Sequence, residues 1–204
     1  KIDINQFVGK NKALISIFAG SRFSEINVLM PIILNFIKLM EKKYNDVTFV
    51  FHSTKEHNEI IRSYIKNSGL VNCEVVRDDK IKNYLLKKSI FAISKSGTVS
   101  LEVCNAKIPS IILYKMNFIN FLIIKMLVKV KYANVINIAA NEEVIPELLQ
   151  SNCNSKNIYK VVCELLDAPE KLQEQVNKTQ IILSKLKSDK SSSELASKAL
   201  NNRL

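Results

Sequence analysis

Two short polar turns carry residue types that bind phosphate in α/β proteins. Each turn follows an apolar run and precedes a helical pattern, and each combines a glycine with hydroxyl or guanidinium side chains. A glycine lets the backbone approach a ligand, those side chains donate to its oxygen atoms, and free N–H groups at a helix start favour anions. The residues are Gly20, Ser21 and Arg22 in the first turn and Ser96, Gly97 and Thr98 in the second. Taken alone, either turn is also typical of an ordinary capped helix.

A carboxylate follows the second turn. Glu102 lies four residues after Thr98, so the two side chains share one face of the predicted helix. A carboxylate there suits the two hydroxyls of a ribose whose phosphates rest on the helix start; the alternative is an ordinary surface residue. Two donor turns on one sheet edge, one with an arginine and one with a carboxylate, favour a nucleoside diphosphate site. The sequence contains neither a Walker P-loop nor a G-x-G-x-x-G motif, which removes the main support for an ATPase or an ordinary dinucleotide-binding protein.

The elements that position these turns alternate along the chain. Short apolar runs predict buried strands at 13–19, 47–52, 73–77, 90–94 and 110–114. Amphipathic patterns predict helices at 25–43, 55–69, 80–88, 99–106, 154–168 and 169–187. The alternation predicts an α/β fold, a Rossmann-like parallel sheet sandwiched by helices with a helical C-terminal tail. Ligands of such sheets bind beyond the carboxyl ends of the strands, where both turns fall.

Three regions are predicted from these patterns. Residues 1–12 are polar and run directly into the first strand, so we expect a linker from a preceding N-terminal domain that this chain lacks. Residues 13–168 are predicted to form the ligand-binding domain, and 169–204 a helical C-terminal extension that ends in a short helix.

The charge, cysteine and histidine content limits the kinds of partner, location and metal site that the sequence predicts. The 204 residues carry a net charge of +11, which indicates either an anionic partner (nucleic acid, a phosphate ligand or a membrane surface) or a lysine-rich proteome. The four cysteines form no C-x-x-C pair, which predicts reduced thiols and a cytoplasmic location. His52 and His57 have no third ligand nearby in the sequence, so no metal site is predicted.

The segment 118–131 combines apolar and basic residues. Ten of residues 118–130 are apolar, and the run is too short to span a bilayer. Two interpretations stand side by side: a core helix with lysines reaching to solvent, or an interfacial helix on anionic lipid. The candidate membrane contacts are Phe118, Phe121, Leu122, Lys125 and Lys129.

Six motifs in order resemble the C-terminal half of lipid-A-disaccharide synthase, an inverting glycosyltransferase of Gram-negative outer-membrane biosynthesis. They are GSR-x-x-EI (20–26), SGT-x-x-LE (96–102), P-x-x-x-x-YKM (109–116), Lys131-Tyr132, Asn137 and PELLQ (146–150). The resemblance covers about residues 13–150 well and the helical tail loosely. No single motif is decisive, but the six together are highly specific.

The resemblance implies one half of a GT-B fold, the half that holds the UDP-sugar donor. The family joins UDP-2,3-diacylglucosamine to 2,3-diacylglucosamine 1-phosphate, forming a β-1,6 disaccharide and UDP without a metal or other cofactor. The general base and most of the acceptor site are expected in the absent N-terminal half, so no catalytic residue is expected here and the isolated chain should be inactive. A peripheral position on the cytoplasmic face of the inner membrane follows from the lipid substrates, and a homo-oligomer is left open.

The resemblance also assigns roles to individual positions. Glu102 matches the glutamate expected at the ribose, while Asn137 and Gln150 match positions near the donor. Lys95 stands where a small residue is usual, and could add charge at the phosphates or face solvent. Asn141 falls where glycine is common, a mild departure because Asn tolerates left-handed backbone.

Two other classes of function are weaker. Another UDP-sugar enzyme of GT-B type, such as the transferase acting on lipid-linked muropeptide or a UDP-N-acetylglucosamine epimerase, should show a richer glycine loop after the first strand. A nucleic-acid-binding module should show aromatic residues interleaved with basic ones, but Tyr and Phe here fall mostly in apolar runs. Nucleic acid is therefore not expected as a partner.

Overall fold

The computed structural model of the chain describes residues 13–116 and 131–186. Its six strands are β1 (Ala13–Phe18), β2 (Val47–His52), β3 (Cys73–Val76), β4 (Phe91–Lys95), β5 (Ser110–Tyr114) and β6 (Glu147–Leu149). All neighbouring strands pair in parallel, in the order β3-β2-β1-β4-β5-β6. This confirms the predicted Rossmann-like sheet and adds β6, a three-residue strand that the apolar pattern did not indicate.

Seven helices connect and cover these strands within the described ranges. They are α1 (Phe23–Met40), α2 (Asn58–Ser68), α3 (Asp79–Lys88), α4 (Thr98–Asn105), α5 (Val135–Ala140), α6 (Ser155–Leu166) and α7 (Pro169–Leu186), with a 3-10 turn at Gln150–Asn152. Six of the seven were predicted, with ends that differ by a few residues. The helix α5 was not, because six residues give too short a pattern to recognise.

Alternate side chains of each strand pack against different helices. In β1, Ile15 and Ile17 join one core cluster with residues of α1, α2 and α6. Leu14, which precedes Ile15 and points to the opposite face, packs instead with Leu85 of α3. Successive side chains of a strand point to opposite faces, so strands that are apolar throughout need helices on both sides of the sheet.

The helix α1 is a core helix of this sheet. By length and composition it could cross a membrane, with a mean hydropathy of 1.5 over its 18 residues. However, eight of its side chains are buried, among them Ile26, Met30, Ile33 and Phe36. Its apolar character is therefore explained by packing against the sheet.

The helix α7 packs back onto the domain. The Gln175 side chain bonds both backbone groups of Ser110 at the start of β5: its Oε1 accepts from the N–H at 2.6 Å, and its Nε2 donates to the carbonyl at 3.0 Å. Gln180 donates to the Cys104 carbonyl of α4 at 2.6 Å, and Ile182 is buried. These contacts tie the last described helix to β5 and to α4.

The strand order creates a cleft between β1 and β4. The chain moves outward from β1 through β2 to β3 and then crosses back to β4, so the loops after β1 and β4 leave the sheet in opposite directions. Ligands of open α/β sheets bind at such a reversal point. The two polar turns of the sequence are these two loops.

Three predicted features fall outside the described residues. The linker expected at 1–12 lies before them, and the short helix expected near the end of the 169–204 extension lies beyond them. Of the 118–131 segment, with its candidate membrane contacts, only Lys131 is described. All three stay predictions.

Candidate functional site

A cavity of about 930 Å³ opens at the carboxyl edge of the sheet, beside the reversal point. Seven of the nine residues predicted to contact the donor line it: Gly20, Ser21, Arg22, Ser96, Gly97, Thr98 and Glu102. They come from the loop after β1, the loop after β4 and the first turns of α4. The fold thus brings together side chains that are about eighty positions apart in the sequence.

The loop after β1 is built around Glu25. Gly20 has a φ of +121°, and a Cβ there would lie 2.7 Å from Glu25 Oε2 and 2.8 Å from Glu25 Cβ. Both the backbone conformation and the contact therefore require glycine. The Glu25 carboxylate accepts from the Ser21 N–H at 3.1 Å and lies 3.6 Å from the Arg22 guanidinium. The Arg22 side chain is 79% exposed and remains free to approach a ligand.

The loop after β4 presents the open start of α4. Gly97 has a φ of +154°, and no described atom lies within 4 Å of an added Cβ, so the conformation and not crowding selects glycine. No described side chain caps this helix, which leaves the N–H groups of Thr98 and Val99 available to an anion, while that of Ser100 donates to the Gly97 carbonyl. The Ser96 hydroxyl donates to the Ala133 carbonyl at 2.7 Å, so its proton is already used within the protein.

Glu102 lies on the cavity wall one turn beyond Thr98, which confirms that the two share a face. The residue is exposed, and among residues 13–116 and 131–186 its carboxylate makes no hydrogen bond or ion pair. A free carboxylate one turn from a helix start can accept from two vicinal hydroxyls.

Lys95, at the end of β4, points to the loop after β1. Its Nζ lies 2.7 Å from Glu25 Oε1 and 5.5 Å from the centre of the Tyr114 ring. Burial raises the pKa of Glu25, but the hydrogen bond and charge of Lys95 outweigh it, together with the N–H groups of Ser21 and Arg22, so the pKa ends below its usual value of 4.5. Of the two roles open for Lys95 in the sequence, facing solvent does not apply, because its side chain is only 21% exposed.

Asn137 and Gln150 do not line the cavity in the described parts of the chain. Asn137 is fully buried in α5. Its Oδ1 accepts from the N–H groups of Val144 and Ile145, and its Nδ2 donates to the Ile145 carbonyl and to Glu147. Its bonding capacity is used inside the protein. Gln150 Oε1 lies 3.5 Å from the Met116 N–H, next to residues outside the described ranges.

The Asn137 contacts lead back to the start of α4. The Glu147 carboxylate accepts from Asn137, from the Ala133 N–H at 2.7 Å and from the Asn134 N–H at 2.9 Å. The Asn134 side chain in turn donates to Ser100 Oγ at 2.8 Å. Through these contacts Asn137 supports the loop after β4 without lining the cavity. Glu147 belongs to the PELLQ motif, so the sequence carries a signal for it, although the resemblance assigns a role only to Gln150 of that motif.

The far side of the cavity was not anticipated. It is formed by the end of β2, the loop that follows it and α3, with His52, Thr54 and Lys82 among the lining residues. His52 Nε2 lies 2.8 Å from Ser16 Oγ, and its ring stacks on Phe18 with 4.3 Å between centroids. Burial, with a smaller effect of the Lys82 charge, lowers the pKa of His52 to about 3, so the ring is neutral at physiological pH. Within the described ranges, no three His, Cys, Asp or Glu residues lie together in a way that could hold a metal ion.

Solved structures define the class of fold. The UDP-GlcNAc 2-epimerase from Neisseria meningitidis bound to UDP-GlcNAc aligns with a TM-score of 0.62 at 19% identity, over 90% of this chain and 47% of that one. The catalytic domain of cholesterol-alpha-glucosyltransferase from Helicobacter pylori aligns with a TM-score of 0.56 at 12% identity, over 84% of this chain and 99% of that one. At these identities the likeness shows the fold alone: this is a Rossmann-like domain of the GT-B class.

Sequence comparison gives the family. The family model for lipid-A-disaccharide synthetase matches residues 2–200. The lipid-A-disaccharide synthase of Rickettsia prowazekii is 34% identical over 196 residues, which are 95% of this chain and 51% of that protein. The corresponding protein of Sulfurihydrogenibium is 34% identical over 167 residues, 78% of this chain and 43% of that protein. The chain belongs to the lipid-A-disaccharide synthetase family, which confirms the resemblance, and it spans about half the length of these curated relatives.

Proposed function

We propose that this chain is the donor-binding half of a glycosyltransferase of lipid A biosynthesis. The complete enzyme would transfer 2,3-diacylglucosamine from its UDP donor to 2,3-diacylglucosamine 1-phosphate, releasing UDP and forming a β-1,6 disaccharide. The observation that carries the proposal is the convergence of Arg22, the open start of α4 and Glu102 on one cavity at the reversal point of the sheet. Family membership supplies the substrate class.

Each feature has a role in donor binding. The diphosphate rests on the first N–H groups of α4 and on Arg22, and the ribose hydroxyls donate to Glu102. Negative charge grows on the UDP leaving group as the glycosidic bond breaks. A helix N-terminus and a guanidinium fixed in advance stabilise that charge without reorganising.

The lipid substrates suggest where the enzyme works. We place it on the cytoplasmic face of the inner membrane, held by the apolar and basic segment 118–131. The support is the composition of that segment and the net charge of +11, both of which favour an anionic lipid surface.

The epimerase alternative has less support. Epimerases share the fold at 19% identity, whereas the lipid-A-disaccharide synthases match at 34% over almost the whole chain. The glycine-poor loop after β1 also argues against it.

Calorimetric titration of the 204-residue chain with UDP tests the proposal, with ATP and single-stranded DNA as controls. We expect UDP to bind measurably and in preference to both controls, and no transferase activity from this half alone. Equal affinity for UDP and ATP would reject the donor site. Robust turnover by the isolated chain would reject the claim that catalysis needs the other half.

A further inference from the structure

Two hydrogen-bond donors and a nearby guanidinium, from the loop after β1 and from the end of β4, surround one carboxylate in the cavity wall. Glu25 accepts from the Ser21 N–H, lies beside the Arg22 guanidinium, and forms its shortest contact, 2.7 Å, with the Lys95 ammonium. Glu25 belongs to the first turn of α1, whereas Lys95 ends β4. The ion pair therefore spans the cleft at which the diphosphate is proposed to bind.

This pair is partly shielded from water. The Glu25 side chain is 12% exposed and that of Lys95 is 21% exposed, unlike the surface pairs of the protein, such as Lys43 with Asp167 at 40% and 58%. Charges interact more strongly where solvent screening is weak. Without Lys95, a carboxylate in the wall of the cavity would repel an incoming diphosphate.

We propose that Lys95 is a positioning residue for the donor diphosphate, acting through Glu25. It neutralises the Glu25 carboxylate and holds it against Ser21 and Arg22, so that the loop after β1 keeps its shape without presenting negative charge to the ligand. The proposal rests on the proposed function, because it presumes that a nucleoside diphosphate occupies the cavity.

Two rival roles make different predictions. If Lys95 bound the diphosphate itself, removing its charge would weaken binding whether or not Glu25 was charged. If the ion pair only stabilised the fold, its loss would lower the thermal stability and would weaken the binding of every ligand of the cavity to the same extent. Action through Glu25 predicts instead that neutralising both partners restores binding.

The test compares Lys95→Met, Glu25→Gln and the double variant in the 204-residue chain. Affinities for UDP and uridine are measured by calorimetry, and melting temperatures without ligand. We expect Lys95→Met to lower the affinity for UDP about tenfold and to change the affinity for uridine little, because uridine lacks the diphosphate. The double variant should recover to within about threefold of the wild type. The double variant Lys43→Met with Asp167→Asn is the matched control: it removes an exposed pair of 2.8 Å whose residues are not part of the cavity lining, and it should leave both affinities unchanged.

A double variant as weak as Lys95→Met would overturn the proposal in favour of direct phosphate contact. Equal losses of affinity for UDP and uridine, together with a lower melting temperature, would overturn the proposal in favour of a folding role. Should Lys95→Met not fold, the double variant is compared with Glu25→Gln alone: equal UDP affinity supports the proposal, and a weaker double variant rejects it. A wild-type chain that fails to bind UDP refutes the proposed function itself, a result distinct from normal UDP binding without recovery.

Discussion

The ribose assignment of Glu102 gives the sharpest prediction. Glu102→Ala removes a carboxylate that lies on the cavity wall and has no partner in the described parts of the chain. Hydrogen bonds to a charged group contribute about 1.5–3 kcal/mol, so the affinity for UDP should fall roughly 10- to 150-fold. Because Glu102 is exposed, we expect a loss in the lower half of that range.

The same geometry predicts little effect on folding. A side chain that bonds to no described residue contributes little to the native state, so the free energy of unfolding without ligand should change by less than about 0.5 kcal/mol. Glu164→Ala is the control, since Glu164 is also an exposed helical glutamate and lies outside the cavity lining. It should alter neither UDP affinity nor stability appreciably.

Calorimetry with 2′,3′-dideoxy-UDP isolates the ribose contact. The wild type should bind this nucleotide more weakly than UDP, by about the factor that Glu102→Ala loses, and the variant should not distinguish the two. If the wild type binds both nucleotides equally well, Glu102 does not contact the ribose, and the assignment is refuted.

Three further predictions concern the first loop and the membrane segment. Gly20→Ala should lower the free energy of unfolding by about 1–3 kcal/mol and weaken UDP binding, because the φ of residue 20 is +121° and the new Cβ would contact Glu25. A chemical denaturation curve that matches the wild type would contradict this prediction. The pKa of Glu25 is lowered in the folded chain. The Glu25 carboxylate therefore contributes stability above its usual pKa of 4.5, and this contribution is lost as the pH falls through the lower pKa of the folded state. Glu25→Gln should flatten the acid side of a plot of melting temperature against pH. Replacing Phe118, Phe121 and Leu122 by serine should reduce binding to phosphatidylglycerol vesicles at unchanged UDP affinity; unfolding of this variant would indicate a core helix instead.

Much of the fold follows from local patterns. The strands β1, β2, β4 and β5 are mostly apolar on both faces, as is typical of strands covered by helices on both sides, and their alternation with helices favours a parallel sheet. The two polar turns were also predictable, because parallel strands deliver the loops after β1 and β4 to the same edge. Asn141 adopts the left-handed conformation expected of it, with a φ of +54°.

Other features depended on contacts between distant parts of the chain. The strand β6 is specified by pairing with β5 and not by its three residues, and α5 is too short to have a recognisable period. The role of Asn137 is decided by the backbone groups of Val144 and Ile145 that surround it, which its residue type does not reveal.

The sequence alone therefore determined the class of fold, the edge of the sheet that carries the cavity and the two polar turns on one side of that cavity. Only the tertiary structure decided the electrostatics of that cavity. Lys95 and Glu25 are separated by 70 positions, and neither periodicity nor motif spacing relates them. They meet because the strand order places β4 beside β1, and the interaction of two charges depends on their separation in space and on their shielding from water, not on their separation along the chain.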